Sequence, residues 1–195
     1  MKSRLIDIIS RFLCRFVNKQ DFFVVRTKSI SQQDENTTER AFYDIDNISE
    51  YEDICKKYNF IVPDADIKNR FERKQHFCVI TEKNHYGCWG WYTTTAEDFE
   101  VTEISRHSQV PQNATILFHY YTNEDQRRKG YYCDLLKNVV RSSKKEYAII
   151  YAYDTNVASS GAIKKAGFKY IGRMNHKNFI PFQQMISMYN LEESV

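Results

Sequence analysis

The stretch YYTNEDQRRKGYYCDLL, residues 120–136, constrains this chain most. It begins in ATILFHYYT (114–122), a β-branched and aromatic run that reads as a strong strand. It ends in a helix predicted over 130–145, because Tyr132, Leu135, Leu136 and Val139 recur at helical spacing. Between them lies Gln126-Arg127-Arg128-Lys129-Gly130. A turn just before a helix exposes unpaired backbone N–H groups at the positive end of the helix dipole, and such a place binds phosphate. Gly130 has no Cβ to keep an anion away from the backbone. Arg127, Arg128 and Lys129 add charge suited to a pyrophosphate or a 3′-phosphate. The run is neither a Walker GxxxxGK[ST] loop nor a GxGxxG dinucleotide turn. Taken alone, it equally describes an ordinary strand-to-helix loop with solvated basic residues.

The other elements follow from the same patterns. Residues 21–28 (DFFVVRTK) read as a first strand, and 31–40 as a polar loop or lid. Asn47 or Ser49 can cap a helix carrying Tyr51, Ile54, Cys55 and Tyr58, and Asp64 after Pro63 starts a second helix. Residues 76–82 and 86–95, split by Lys83-Asn84-His85, form a hairpin signal. A polar connection leads to the strand at 114–122. Beyond the 130–145 helix come a strand at 147–153, a helix at 157–166 and closing strands at 168–174 and 182–191. A meander beside strand–helix alternation implies a mixed α/β sheet with helices on both faces.

Bulk properties narrow the class further. A chain of 195 residues fits one domain over 1–195 with a real core, and 42% hydrophobic and 15% aromatic residues argue against overall disorder. A formal net charge of +3 gives no reason to expect a nucleic-acid partner. The five cysteines form no CxxC pair and are odd in number, as expected in a reducing cytoplasm. Cys78 and Cys88 are expected to be buried free thiols on adjacent strands. His76, His85, His107, His119 and His176 show no metal-ligand spacing, so no metal is expected. Residues 1–19 read as an amphipathic helix with an apolar stripe from Leu5 to Val17 and a basic face including Lys2, Arg4, Arg11 and Arg15. That helix either packs on the domain or makes a peripheral contact with an anionic membrane. No run is long enough to span a bilayer, and Asp7 and Arg11 break any signal-peptide core.

A second segment gives the basic loop its meaning. DTNVASSGAIKKAGFKYIGR (154–173) follows the next strand; Asn156 stands three residues before Ser159, and Gly167-Phe168 ends the helix. By themselves Asn156 and Ser159 describe helix capping, and Gly167 a left-handed helix end. Together the two segments resemble the GNAT acyltransferase superfamily, whose pattern is a strand, (Q/R)xxGx(G/A), a helix, a strand and Nxx(S/A)…GF. Arg127 to Tyr132 match the first motif and Asn156 to Phe168 the second. The resemblance covers 76–190 and implies a six- or seven-stranded mixed sheet flanked by helices.

The resemblance also implies a chemistry. Acetyl-CoA would be the cosubstrate. Its pyrophosphate would sit on the backbone around Gln126, Arg127, Arg128, Lys129, Gly130, Tyr131 and Tyr132. Its pantetheine arm would run along Tyr120, Tyr121 and Thr122, where two strands splay, with Asn156 and Ser159 across the cleft. The acyl group would pass directly to a primary amine of a small molecule or an amino sugar, the oxyanion held by backbone N–H groups. This sequence departs from the family twice. Tyr132 stands where Gly or Ala is usual, and Ile163 stands where many relatives carry a Tyr that protonates the leaving thiolate. Tyr151 and Tyr153 are the candidate acids and His119 the candidate base; Glu103 and His107 lie on a segment that can face the acceptor. The tyrosines fit sheet packing as well. Two other functions stay open: O-acylation of a saccharide or lipid-linked precursor near a membrane, and a degenerate CoA-binding module that serves a partner.

Overall fold

The computed structural model describes residues 18–30, 40–63 and 66–193. The amphipathic helix expected at 1–19 and the loop expected from 31 lie almost wholly outside them. Among the described residues nine strands and five α-helices follow one another. They are β1 (Gln20–Arg26), β2 (Arg40–Ile45), α1 (Ile48–Lys57), α2 (Ile67–Glu72), β3 (His76–Glu82), β4 (His85–Thr93), β5 (Asp98–Val101) and β6 (Arg106–Gln109). Then come β7 (Ala114–Thr122), α3 (Tyr131–Ser142), β8 (Tyr147–Tyr153), α4 (Val157–Lys165), β9 (Lys169–Met174) and α5 (Phe182–Glu193). No helix among the described residues is long and apolar enough to cross a membrane.

Seven strands form one mixed sheet in the order β2-β3-β4-β7-β8-β1-β9, and β5 pairs with β6 apart from it. Only β7 and β8 run parallel; every other neighbouring pair is antiparallel. The core divides across the sheet. One face packs Phe22, Phe77, Trp91, Ile116, Phe118, Ile149 and Tyr151 under α1, α2, α5 and the β5–β6 hairpin. The other packs Phe23, Leu117, Ile150 and Phe168 under α3 and α4. Alternate residues of β1 and β8 serve both cores, which is why those strands read as continuous apolar runs. Cys78 and Cys88 are buried free thiols, as expected.

Three sequence readings change. Residues 182–191, expected as a strand, are the helix α5. Phe182, Met185, Ile186 and Tyr189 fall at i, i+3, i+4 and i+7 and are the residues α5 buries. Pro181 precedes it and its carbonyl accepts from Gln184 and Met185. The polar connection after β4 contains the β5–β6 hairpin, whose four-residue strands are too short for a periodicity signal. Strand β2, Arg40–Ile45, is not among the expected elements, and Arg40 opens it instead of closing a loop. The other elements fall within a few residues of their expected bounds, with Asn47 capping α1 through the Glu50 N–H at 3.0 Å.

β4 carries Gly90 for a steric reason. A Cβ there would stand 2.4 Å from the Tyr120 ring on β7. The bare glycine lets that ring lie against the strand. Gly90→Ala should therefore displace Tyr120 and destabilise the protein by about 1–3 kcal/mol, read as a lower urea midpoint at unchanged slope. A midpoint at the wild-type value would show that the ring moves aside freely.

Candidate active site

β7 and β8 share a ladder only at their beginnings, from Ala114↔Tyr147 to Leu117↔Ile150. Both strands continue, β7 to Thr122 and β8 to Tyr153, without pairing to each other. The parting coincides with a bulge in β7. Trp91 faces Phe118 but Trp89 faces Tyr121, so His119 and Tyr120 together oppose Gly90. His119 takes the left-handed φ of 54° that this extra residue requires. The strands thus open at the carboxyl ends of the parallel pair, where open α/β sheets place their ligands.

The basic loop stands at that opening. After a 3-10 turn at Glu124–Gln126, Arg128 (φ 64°) and Gly130 (φ 89°) are both left-handed. Gly130 is the N-cap of α3, and no side chain caps that end. α1 and α4 differ: their N-caps Asn47 and Asn156 each accept a backbone N–H. Uncapped first-turn amides after alternating backbone handedness make an anion-binding concavity. The Arg127 side chain reaches Glu124 at 3.2 Å and Lys129 reaches Gln126 at 2.9 Å, so both remain in the loop as exposed charge. Tyr131 turns inward and donates to Glu82.

Tyr132 does not crowd the helix start. Its ring packs 5.6 Å from Tyr120, and its hydroxyl meets Ser159 Oγ at 3.1 Å, joining the first turns of α3 and α4. Burial pushes that hydroxyl's pKa up, so it stays protonated. The Asn156 side chain accepts from Ser159 N–H at 3.0 Å. Tyr121 packs on Trp89, and Thr122 donates to Cys88 Sγ at 3.4 Å. Ile163 is fully buried in the core between α4 and the sheet.

On the opposite face of the sheet an open cleft of about 320 Å³ is lined by residues including Arg70, His107, Phe118, His119 and Tyr151. A neighbouring one of about 330 Å³ shares Arg70 and His119 and adds Trp89 and Tyr120. Arg70 is only 9% exposed. Its guanidinium lies over Trp91 and Phe118 and reaches His119 Nδ1 at 2.6 Å. A guanidinium only donates, so Nδ1 accepts and the ring proton lies on Nε2, 3.5 Å from Glu103 Oε1. Burial acts to raise the Glu103 carboxyl, but hydrogen bonds, first the one from His119, outweigh it and hold Glu103 below the usual carboxylate range. The Tyr151 hydroxyl is driven well above its ordinary value, first by burial and then by the Glu103 charge.

Of the three residues expected to do proton chemistry, His119 and Tyr151 share the cleft, while Tyr153 lies at the end of β8, 43% exposed. His107 lines the cleft, and Glu103 lies behind His119. Arg70 was not anticipated, although Ile67, Arg70 and Phe71 share one helical face and the spacing marks Arg70 as inward-facing. No group of three or more His, Cys, Asp or Glu side chains among the described residues could hold a metal.

No protein-family model matches this chain, and no curated protein does. Solved structures do. A GCN5-related N-acetyltransferase from Kribbella flavida superposes with a TM-score of 0.52 at 9% identity, over 84% of this chain and 60% of that one. An acetyltransferase of the GNAT family from Colwellia psychrerythraea gives 0.53 at 14% identity, over 80% and 53%. A conserved protein of unknown function from Staphylococcus epidermidis gives 0.53 at 11% identity, over 80% and 59%. This chain thus spans about three fifths or less of those proteins' length. A seven-stranded sheet parting at its single parallel pair, with an uncapped helix start beside the opening, gives this chain a GNAT-like fold, similar to those solved structures.

Proposed function

We propose that this protein transfers an acetyl group from acetyl-CoA to a primary amine of a small molecule or amino sugar, by direct attack on the thioester. One observation carries the reading: β7 and β8 part after four paired positions, beside a helix whose N-cap is a left-handed glycine without a side-chain cap. The opening leaves backbone groups of Tyr120, Tyr121 and Thr122 without a β8 ladder, which suits an extended arm with amides of its own. The α3 start suits its diphosphate. The roles of Gln126 to Tyr132, Asn156 and Ser159 in holding the cosubstrate are part of this proposal.

The polar cleft on the other face is the acceptor side. As the nitrogen–carbonyl bond forms and the carbon–sulfur bond breaks, the amine loses a proton. His119 Nδ1 accepts from Arg70 at 2.6 Å and its Nε2 stands 3.5 Å from Glu103 Oε1, so the ring joins the cleft to that carboxylate. We therefore assign the proton's destination to the Glu103 carboxylate, with His119 passing it on as Arg70 releases Nδ1. Tyr151, kept protonated by burial, returns a proton to the departing thiolate. On this proposal the leaving-group acid lies on β8 and none is needed at Ile163; Tyr153 lies farther along the same strand.

The test is release of CoA thiol from acetyl-CoA with a panel of amines and amino sugars, with matching alcohols in parallel. Thiol release with an amine, and a product heavier by one acetyl group in mass spectrometry, is the expected result. Release with alcohols alone would move the activity to O-acylation. Tight CoA binding without turnover on any acceptor would leave a binding module.

A further inference from the structure

Arg40 stands at the head of β2, 94 residues from Asp134 in sequence, yet its guanidinium lies against the start of α3. Nη1 pairs with the Asp134 carboxylate. Nη2 donates to the Lys129 carbonyl at 3.0 Å. Nε stands 3.5 Å from Glu82 Oε1, and the guanidinium carbon lies 4.1 Å from the centre of the Tyr131 ring. Tyr131 in turn donates to Glu82. The Arg40 side chain is 16% exposed, so this is an ordered cluster of one cation, two carboxylates and a ring.

The geometry of that cluster bears on the anion loop. The Lys129 carbonyl precedes the Gly130 amide in the same peptide unit, so pulling the carbonyl toward Arg40 turns that amide outward, away from the cluster. Asp134 sits in the first turn of α3, where a carboxylate repels any phosphate brought to the amides. Glu82 is a second negative charge nearby, held ionised first by the Tyr131 hydrogen bond and then by the Arg40 charge. Arg40 is the cation that offsets both.

We propose that Arg40 is a positioning residue for the phosphate-binding loop: it orients the Lys129–Gly130 peptide and screens Asp134 and Glu82 from the incoming diphosphate. This rests on the acetyl-CoA reading above. It makes β2 part of the donor site without touching the donor, and it assigns Asp134 the role of a partner for Arg40.

The test uses the full chain with Arg40→Met, Arg40→Lys and the double variant Arg40→Met/Asp134→Asn. Expected for Arg40→Met is a CoA Kd weaker by roughly tenfold or more. KM for acetyl-CoA should rise in step, with kcat at saturating donor and KM for the acceptor unchanged. Removing the exposed carboxylate in the double variant should recover much of the lost affinity, and Arg40→Lys should fall between. Amide hydrogen exchange over 128–132 without ligand should quicken in Arg40→Met. A folded Arg40→Met with wild-type Kd and wild-type exchange overturns the proposal. So does a double variant as weak as the single one, because a merely structural loss is not repaired by Asp134→Asn. If the wild-type chain binds no CoA, the functional reading itself fails, while the exchange comparison still decides whether Arg40 orders the loop.

Discussion

Gly130→Glu abolishes CoA binding and leaves the sheet intact: this is the largest single effect expected in the donor site. Gly130 has a φ of 89°, and a Cβ there meets nothing closer than Arg40 Nη1 at 3.9 Å. The fold therefore tolerates the atom but not the backbone angle, which costs an L-residue about 1–2 kcal/mol. The carboxylate then projects over the very amides that would hold a diphosphate. Loss of affinity by more than about a hundredfold is expected, from like charge added to steric exclusion. Gly130→Ala separates the two causes: it should lose the same stability and only part of the affinity. Calorimetric titration with CoA reads both, and a Gly130→Glu protein that still binds at the wild-type Kd refutes the phosphate-loop assignment.

The second large effect is on turnover. Glu103→Gln keeps the size of the side chain and removes the charge proposed to take the proton, so kcat/KM should fall by roughly 10²-fold or more. KM for acetyl-CoA should stay unchanged, because Glu103 lies beside His119, which lines the cleft proposed for the acceptor. The same substitution has a stability signature with a definite sign. The folded carboxyl has a pKa below the ordinary 4.5, so its contribution is fully present above that value and disappears as pH falls through the lower folded one. Wild type should thus exceed Glu103→Gln in stability near neutrality, and the gap should close under acid. A gap that widens on acidification, or full turnover in Glu103→Gln, would assign the proton to another group.

Both predictions depend on neighbours that chain order conceals. Gln126 to Tyr132 stand out as a basic turn between a strand and a helix, and the structure builds the turn with left-handed Arg128 and Gly130. Asn156 and Gly167 take the capping and left-handed roles their residue types favour. These are local signals, carried by the φ a residue tolerates and the N–H a side chain can reach. The signal at 182–191, expected as a strand, is local too: the spacing of Phe182, Met185, Ile186 and Tyr189 specifies a helix. Arg70 and Arg40 are different. Each is a charged residue at a position whose partners lie 49 and 94 residues away, and no periodicity announces a cation that ends up under an aromatic ring or against a distant helix.

The amino-acid sequence alone determined most of the elements, the α/β class and the basic strand-to-helix turn with its glycine, because each depends on residues within a few turns of one another. Tertiary structure alone decided where the strands lie. β1 has apolar residues toward both faces and could fill any interior slot; long-range pairing inserts it antiparallel between β8 and β9. The parting of β7 from β8 was likewise settled in three dimensions, where the bulge at His119 turns one strand away from the other and brings Arg70, His119 and Tyr151 around one cleft. Strand order and side-chain convergence come from closing loops tens of residues long around a shared core, and no local pattern records which closure is lowest in free energy.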